Sequence, residues 1–209
     1  MYRSEDVRSE YPVEEHFFAA AAERADSAGA DLITVSLGYN RYDNPSFDYT
    51  YTQMNGRVSQ IAQASVIASR KGILVCVAAG NDGSGSWHYI TTPGDADSVI
   101  TVGAVALNRV VANFSGYGPS ADGRIKPDLA AVGQSAVIAS YVNGQPGFGS
   151  GTSYATPILA GVTTCLIQAF PEAGPMKILD ALKRSADRFT TPDDRSGYGI
   201  PDAKKAFVS

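Results

Sequence analysis

The sequence predicts an α/β fold on a mostly parallel sheet, and three observations lead there. Ile73-Leu74-Val75-Cys76-Val77-Ala78-Ala79 is an unbroken apolar run rich in β-branched residues. Such a run reads as a strand buried on both faces, as in a parallel sheet. Short apolar runs alternate along the chain with segments of helical spacing, the pattern of strands joined by helical crossovers. The 209 residues are 44% apolar, enough for one substantial core. No low-complexity linker or internal repeat divides them, so one domain is expected over residues 1–209.

The elements follow in order. Met1 to Asp6 reads as an edge strand. Pro12-Val13-Glu14-Glu15 opens a helix, with Pro and acidic residues in its first turn. It runs through Phe17, Phe18 and Ala22 to a stop near Gly29. Leu32 to Ser36 is a short buried strand, and Tyr39 to Gly56 a polar, aromatic loop with Asn44-Pro45 turn chemistry. Val58 to Arg70 is a helix with Ile61, Ala62, Ser65, Val66 and Ser69 on one face and Gly72 as its stop. Ile73 to Ala79, Val99 to Val105, Leu129 to Val132 and Ala136 to Ser140 are strands. Ser153 opens a long helix that tolerates Pro157 in its first turn. Pro175-Met176 starts another, reaching about Ala186, and Ala203 to Phe207 is a last short turn.

Composition excludes some functions. Charged residues make up 18%, the net charge is −4, and no Lys/Arg run exists, which argues against nucleic acid as a partner. No apolar run approaches the roughly 20 residues of a membrane span. Met1-Tyr2-Arg3-Ser4-Glu5 lacks the apolar core of a signal peptide. Cys76 and Cys165 read as two free buried thiols, and no Cys/His cluster has zinc spacing.

Two segments carry candidate chemistry. In Gly151-Thr152-Ser153-Tyr154-Ala155-Thr156-Pro157 a Ser stands just ahead of a helical run, Ile158, Leu159, Val162, Leu166 and Ile167. Unpaired N–H groups and the positive end of the macrodipole gather there, and they favour a developing anion beside a nucleophilic hydroxyl. The same residue also suits a plain helix N-cap. The strand Ile73 to Ala79 ends in Gly80-Asn81-Asp82-Gly83. Ligands of open α/β sheets bind outside the carboxyl ends of strands, so Asn81 is placed to donate its amide to a substrate oxygen. Asn-Asp-Gly is equally good turn chemistry.

Together these segments resemble the subtilisin-like serine peptidases, the subtilases. Ala30-Asp31-Leu32-Ile33-Thr34-Val35-Ser36-Leu37-Gly38 is similar to the family's substrate-binding strand, and Ala78-Ala79-Gly80-Asn81 to its oxyanion segment. Ser98 to Ala104, Phe114 to Pro119, Lys126 to Leu129, Gly151 to Pro157 and Gly197 to Ala203 match further motifs in the family's order. The resemblance implies a three-layer α/β/α fold that lacks its N-terminal side, and acyl-enzyme cleavage of peptide bonds. It makes Ser153 the nucleophile and Asn81 the oxyanion donor, with the Ser153 N–H as second donor. Ser36, Leu37 and Gly38 would pair with the peptide backbone. Ala78, Ala79 and Gly80 would wall the S1 pocket, with Thr91 near its floor unless it is simply a strand Thr. A cis Thr92–Pro93 bond is implied as well.

The resemblance also implies a catalytic Asp and His upstream of Ser36-Leu37-Gly38. His16 lies in an Ala-rich helical stretch, His88 follows Asn81, and neither matches; Asp6 lacks the Asp-Ser/Thr-Gly context. The chain therefore reads as the C-terminal part of such a domain, inactive alone, because a Ser without a base is a weak nucleophile. Val7-Arg8-Ser9-Glu10-Tyr11, charged and bulky, stands where the family has a Gly-rich strand, which puts that side of the cleft in question. No cofactor is assigned. Calcium is allowed by resemblance, with Asp95 and Asp97 as ligands, though both read better as surface carboxylates. A peptide or protein is the expected partner, self-association through the incomplete edge is expected, and a secreted, periplasmic or cell-surface parent is implied. The competing readings are a non-catalytic peptide-binding module and an α/β-hydrolase, whose Gly-x-Ser-x-Gly elbow would need Gly where Ala155 stands.

Overall fold

In this computed structural model, which describes residues 1–140 and 144–208, the strands β1 (Leu32–Val35), β2 (Leu74–Ala78), β3 (Ile100–Val105) and β4 (Leu129–Val132) form one sheet in that order. All three pairings are parallel, with Leu32 opposite Leu74, Cys76 opposite Ile100 and Val102 opposite Leu129. Side chains alternate across the sheet. Leu74, Cys76, Ile100 and Val102 enter one core; Val75 and Val77 enter the other. The first core is closed by α3 (Thr152–Ala169), α4 (Pro175–Ser185) and α5 (Ala203–Val208), the second by α1 (Val13–Ser27) and α2 (Gln60–Arg70). This is the three-layer α/β/α arrangement.

Local chemistry sets the boundaries. Ser59 Oγ accepts the Ala62 N–H at 3.2 Å, so α2 starts two residues later than its apolar spacing suggests. Gly72, at φ +100°, ends the turn that follows it. Glu15, buried in α1, accepts the Tyr42 and Tyr49 hydroxyls and the Ile61 N–H, which ties α1 to α2 and to the loop after β1. That loop holds two short 3-10 turns, Pro45–Phe47 and Tyr51–Gln53.

Four expectations need correction. Met1 to Asp6 is not a strand: Glu14 accepts the Asp6 N–H at 2.7 Å and a turn returns Ser9 N–H to Asp6 O, so backbone groups that would pair in a ladder are taken. A strand β6 (Pro146–Gly149) was not expected; it pairs antiparallel with β5 (Ala136–Ala139), and its Pro and Gly content hides it from propensity. Helix α3 begins at Thr152 rather than Ser153, which puts Pro157 past the first turn. Both thiols are free, and Cys76 is buried, but Cys165 lies on the exposed side of α3.

A buried ion cluster supports β4. Lys126 Nζ lies 2.6 Å from Asp128 Oδ2, 3.0 Å from Thr101 Oγ1 and 3.4 Å from Val99 O. Thr101 Oγ1 donates to Gly94 O, leaving a lone pair for the lysine. Three acceptors around one nitrogen call for an ammonium. Asp128 also takes Lys183 Nζ at 2.7 Å and the Thr101 N–H at 2.9 Å. Burial alone would raise the Asp128 carboxyl, but the two ammoniums hold it below its ordinary value.

Candidate active site

At the carboxyl ends of β1 and β2 the chain opens a cavity of about 410 Å³ whose lining includes Ser36, Leu37, Gly38, Ala78, Gly80, Asn81, Thr91, Thr152 and Ser153. The chain thus brings Asn81 and Ser153, far apart in sequence, to one cleft. Ala79 is the exception among the expected residues. It is fully buried behind the wall, where its N–H bonds Val102 O and its carbonyl accepts the Thr91 N–H.

Asn81 is held by the residue before the serine. Its Oδ1 accepts the Thr152 N–H at 2.8 Å and lies 3.0 Å from Thr152 Oγ1. The same hydroxyl accepts the Gly80 N–H at 3.2 Å. With the oxygen of the amide engaged on the helix, its NH₂ is left to point away from it. The sequence reading missed Thr152; its only signal was its place beside Ser153.

Ser153 stands in the first turn of α3, where backbone N–H groups lack an intrahelical acceptor. Its carbonyl is free for a different reason. In an α-helix the N–H four residues on would take it, but that residue is Pro157, which has none. Ser36 Oγ donates to this carbonyl instead, at 3.0 Å. Ser153 Oγ in turn reaches Ser36 O, at a long 3.4 Å. The strand end and the helix start are therefore joined directly.

Glycines clear the other wall. A Cβ on Gly38 would meet Thr91 Oγ1 at 2.3 Å, and one on Gly80, which has φ +98°, at 3.0 Å. Thr91 belongs to no strand, contrary to the plainer expectation, and lines the cavity. The Thr92–Pro93 bond is cis.

Among the described residues, no histidine lines this cavity. His16 is exposed on α1. His88, at φ 49°, packs against Tyr89 and Tyr117, and its N–H donates to Asp82 O. The titratable groups that do line it are Glu5, Glu10 and Asp82, none of them foreseen as site residues. Burial first, then Glu14, Glu5 and Asp43, push Glu10 up to about 7. The charge of Val7 to Tyr11 was the available signal. Asp95, expected on the surface, is fully buried and accepts the Gly56 N–H at 2.7 Å; burial raises its carboxyl. Asp97 is exposed, on Ser98. Among the described residues, the set of three acidic side chains close enough to share a cation is Glu5, Glu10 and Glu14. No described helix is long and apolar enough to cross a membrane.

A family model described as the Subtilase family matches residues 6–199. The chain is 34% identical over 199 residues to serine protease AprX of Bacillus subtilis, covering 84% of this chain and 42% of that protein. It is 33% identical over 138 residues to the halolysin-like extracellular serine protease Nep of Natrialba magadii, covering 66% and 24%. The solved prenylagaramide maturation protease PagA superposes with a TM-score of 0.71 at 25% identity, over 93% of this chain and 66% of that one. The chain spans less than half the length of these two curated relatives.

Proposed function

The chain belongs to the subtilase family, and we propose that it supplies the nucleophile and oxyanion half of a serine endopeptidase site in its parent protein. The observation that carries this is the Thr152 clamp, which turns the Asn81 amide outward beside Ser153. Ser153 Oγ attacks the peptide carbonyl. The oxyanion forms between Asn81 Nδ2 and the Ser153 N–H, donors fixed before the reaction begins. Ser36 to Gly38 pair with the substrate backbone, and a side chain settles over Gly38 and Gly80 toward Thr91. The proton leaves Ser153 for a histidine, oriented by an aspartate, from family segments that this chain does not match. The parent works outside the cytoplasm.

Alone, the chain will not hydrolyse peptides, and Ser153 will resist fluorophosphonate, which needs an activated hydroxyl. Strong labelling abolished by Ser153→Ala would show that a base is present and defeat this expectation. The non-catalytic peptide-binding reading is favoured by one observation: the recorded partner of the Ser153 hydroxyl is the Ser36 carbonyl, not a base. A relative of the parent carrying both upstream motifs, yet inert toward peptides, would decide for it.

We also expect the chain to self-associate. Among the described residues β1 has a strand partner only on its β2 side, and an apolar groove runs beside it between Tyr2, Phe18, Leu32 and Leu37. Unpaired strand edges and apolar grooves attract second copies. Light scattering at micromolar concentrations will show a dimer or larger species. A clean monomer would mean the edge needs no cover.

A further inference from the structure

We propose, resting on the peptide-cleft reading above, that this cavity selects a peptide carrying a Lys or Arg side chain, received by Glu10 and Glu5. Among the described residues, the cavity beside Ser153 is lined by Glu5, Glu10 and Asp82 and by no Lys, Arg or His. Around Glu10 the negative charge deepens. Glu5, Glu10 and Glu14 offer oxygens within 4.8 Å of one another. Asp43 adds a fourth carboxylate, which accepts the Glu10 N–H at 3.1 Å.

None of these four acids forms an ion pair among the described residues. The two cations of the segment are engaged elsewhere, Arg8 on Asp6 and Arg3 on the backbone oxygen of Glu5. Glu14 is committed to the N–H groups of Asp6 and Tyr11, and Glu5 accepts the Tyr39 hydroxyl. The Glu10 carboxylate has no hydrogen-bonding partner among the described residues. Burial first, and then the neighbouring carboxylates, raise its affinity for a proton.

A second, independent observation points to a ligand. Thr91 is only 6% exposed, and its Oγ1 has no hydrogen-bond partner among the described residues. That oxygen fills the space over Gly38 and Gly80, which line the same cavity. A buried hydroxyl of this kind normally has a partner. A Lys or Arg side chain meets all of these needs. Its aliphatic stem runs along the cavity wall beside Thr91, and its head brings several N–H donors to Glu10, Glu5 and the Thr91 oxygen. A bare divalent cation is the less suitable occupant, because Glu14 and Glu5 already spend oxygens on protein donors.

The test is binding to the chain as it stands, since no turnover is expected of it. Short fluorescein-labelled peptides of one Ala/Ser/Gly background, with a single central Lys, Arg, norleucine or Glu, are titrated by anisotropy. The Lys and Arg peptides will bind roughly tenfold tighter than the norleucine peptide, the scale of a charge-assisted contact, and the Glu peptide weakest. Glu10→Gln and, separately, Asp43→Asn will shrink the Lys preference, and Thr91→Val will shrink it by less. Equal binding of Lys and norleucine peptides would overturn the inference and leave the cleft reading standing. No binding of any peptide would defeat both. Calorimetry with calcium alone provides the remaining arm: saturable uptake lost in Glu10→Gln, without a Lys preference, would make this a metal site and refute the proposal.

Discussion

Replacing Lys126 by Met will destabilise the chain by about 3–5 kcal/mol, because it leaves the buried Asp128 charge short of a partner. For a domain of this size that corresponds to a fall in Tm of roughly 6–20 °C. The methionine fills most of the same volume, so packing is not the cause. What is lost is the ammonium that bridges Asp128, Thr101 Oγ1 and Val99 O, joining β4 to the start of β3. The pH dependence carries a sign that can be checked. Asp128 is held below its ordinary value of 3.8 in the fold. Its contribution is therefore fully present above that value and is lost as pH falls through the lower, folded value. In Lys126→Met this shift is smaller, so the gap between wild type and variant narrows in acid. Thermal melts at neutral pH and near pH 3 measure both effects. A loss below about 1 kcal/mol at neutral pH would show the cluster to be energetically neutral, as replaced buried pairs sometimes are.

On the proposed function, Asn81→Leu in the parent protein will lower kcat by about 10²–10³-fold with little change in KM, a loss of the size known from subtilisin for one side-chain oxyanion donor. The donor acts on charge that exists only in the transition state, so ground-state binding is largely spared. Thr152→Val tests the same device one step removed. It keeps the Thr152 N–H on Asn81 Oδ1 but removes the hydroxyl that lies on both Asn81 and Gly80. A smaller fall in kcat is expected, again without a rise in KM. A change of less than about tenfold in Asn81→Leu would mean that the amide does not face the oxyanion.

Much of the fold was legible because it rests on local pattern. β2 is a continuous apolar run, α2 has a clear apolar face, and Gly72 marks a stop, so each is readable within a window of a few residues. The pairing of Asn81 with Ser153 was legible too, but through resemblance to a family rather than through spacing. What escaped depends on contacts between distant segments. Nothing local in Met1 to Asp6 says that Glu14 will take its backbone donor. Nothing in Thr91 says that two glycines will open space around its hydroxyl. Glu5 and Glu10 look like solvated charges until the loop after β1 brings Tyr39 and Asp43 against them. Asp95 was misplaced for the same reason, since its burial is imposed by Gly56 and its neighbours.

Pro157 touches the chemistry only through an atom it lacks, and this turns a spacing into an address. A proline silences the carbonyl ladder four positions back, so its place in the motif names which oxygen of the helix is released. At position 157 that oxygen is the one Ser36 grips. Moved one residue either way, the same proline would release the carbonyl of Thr152 or of Tyr154, each turned about a hundred degrees around the helix from the strand that waits for it. A motif that looks like a nucleophile followed by helix-tolerant filler is thus also an instruction for docking a strand, written in the distance between its serine and its proline.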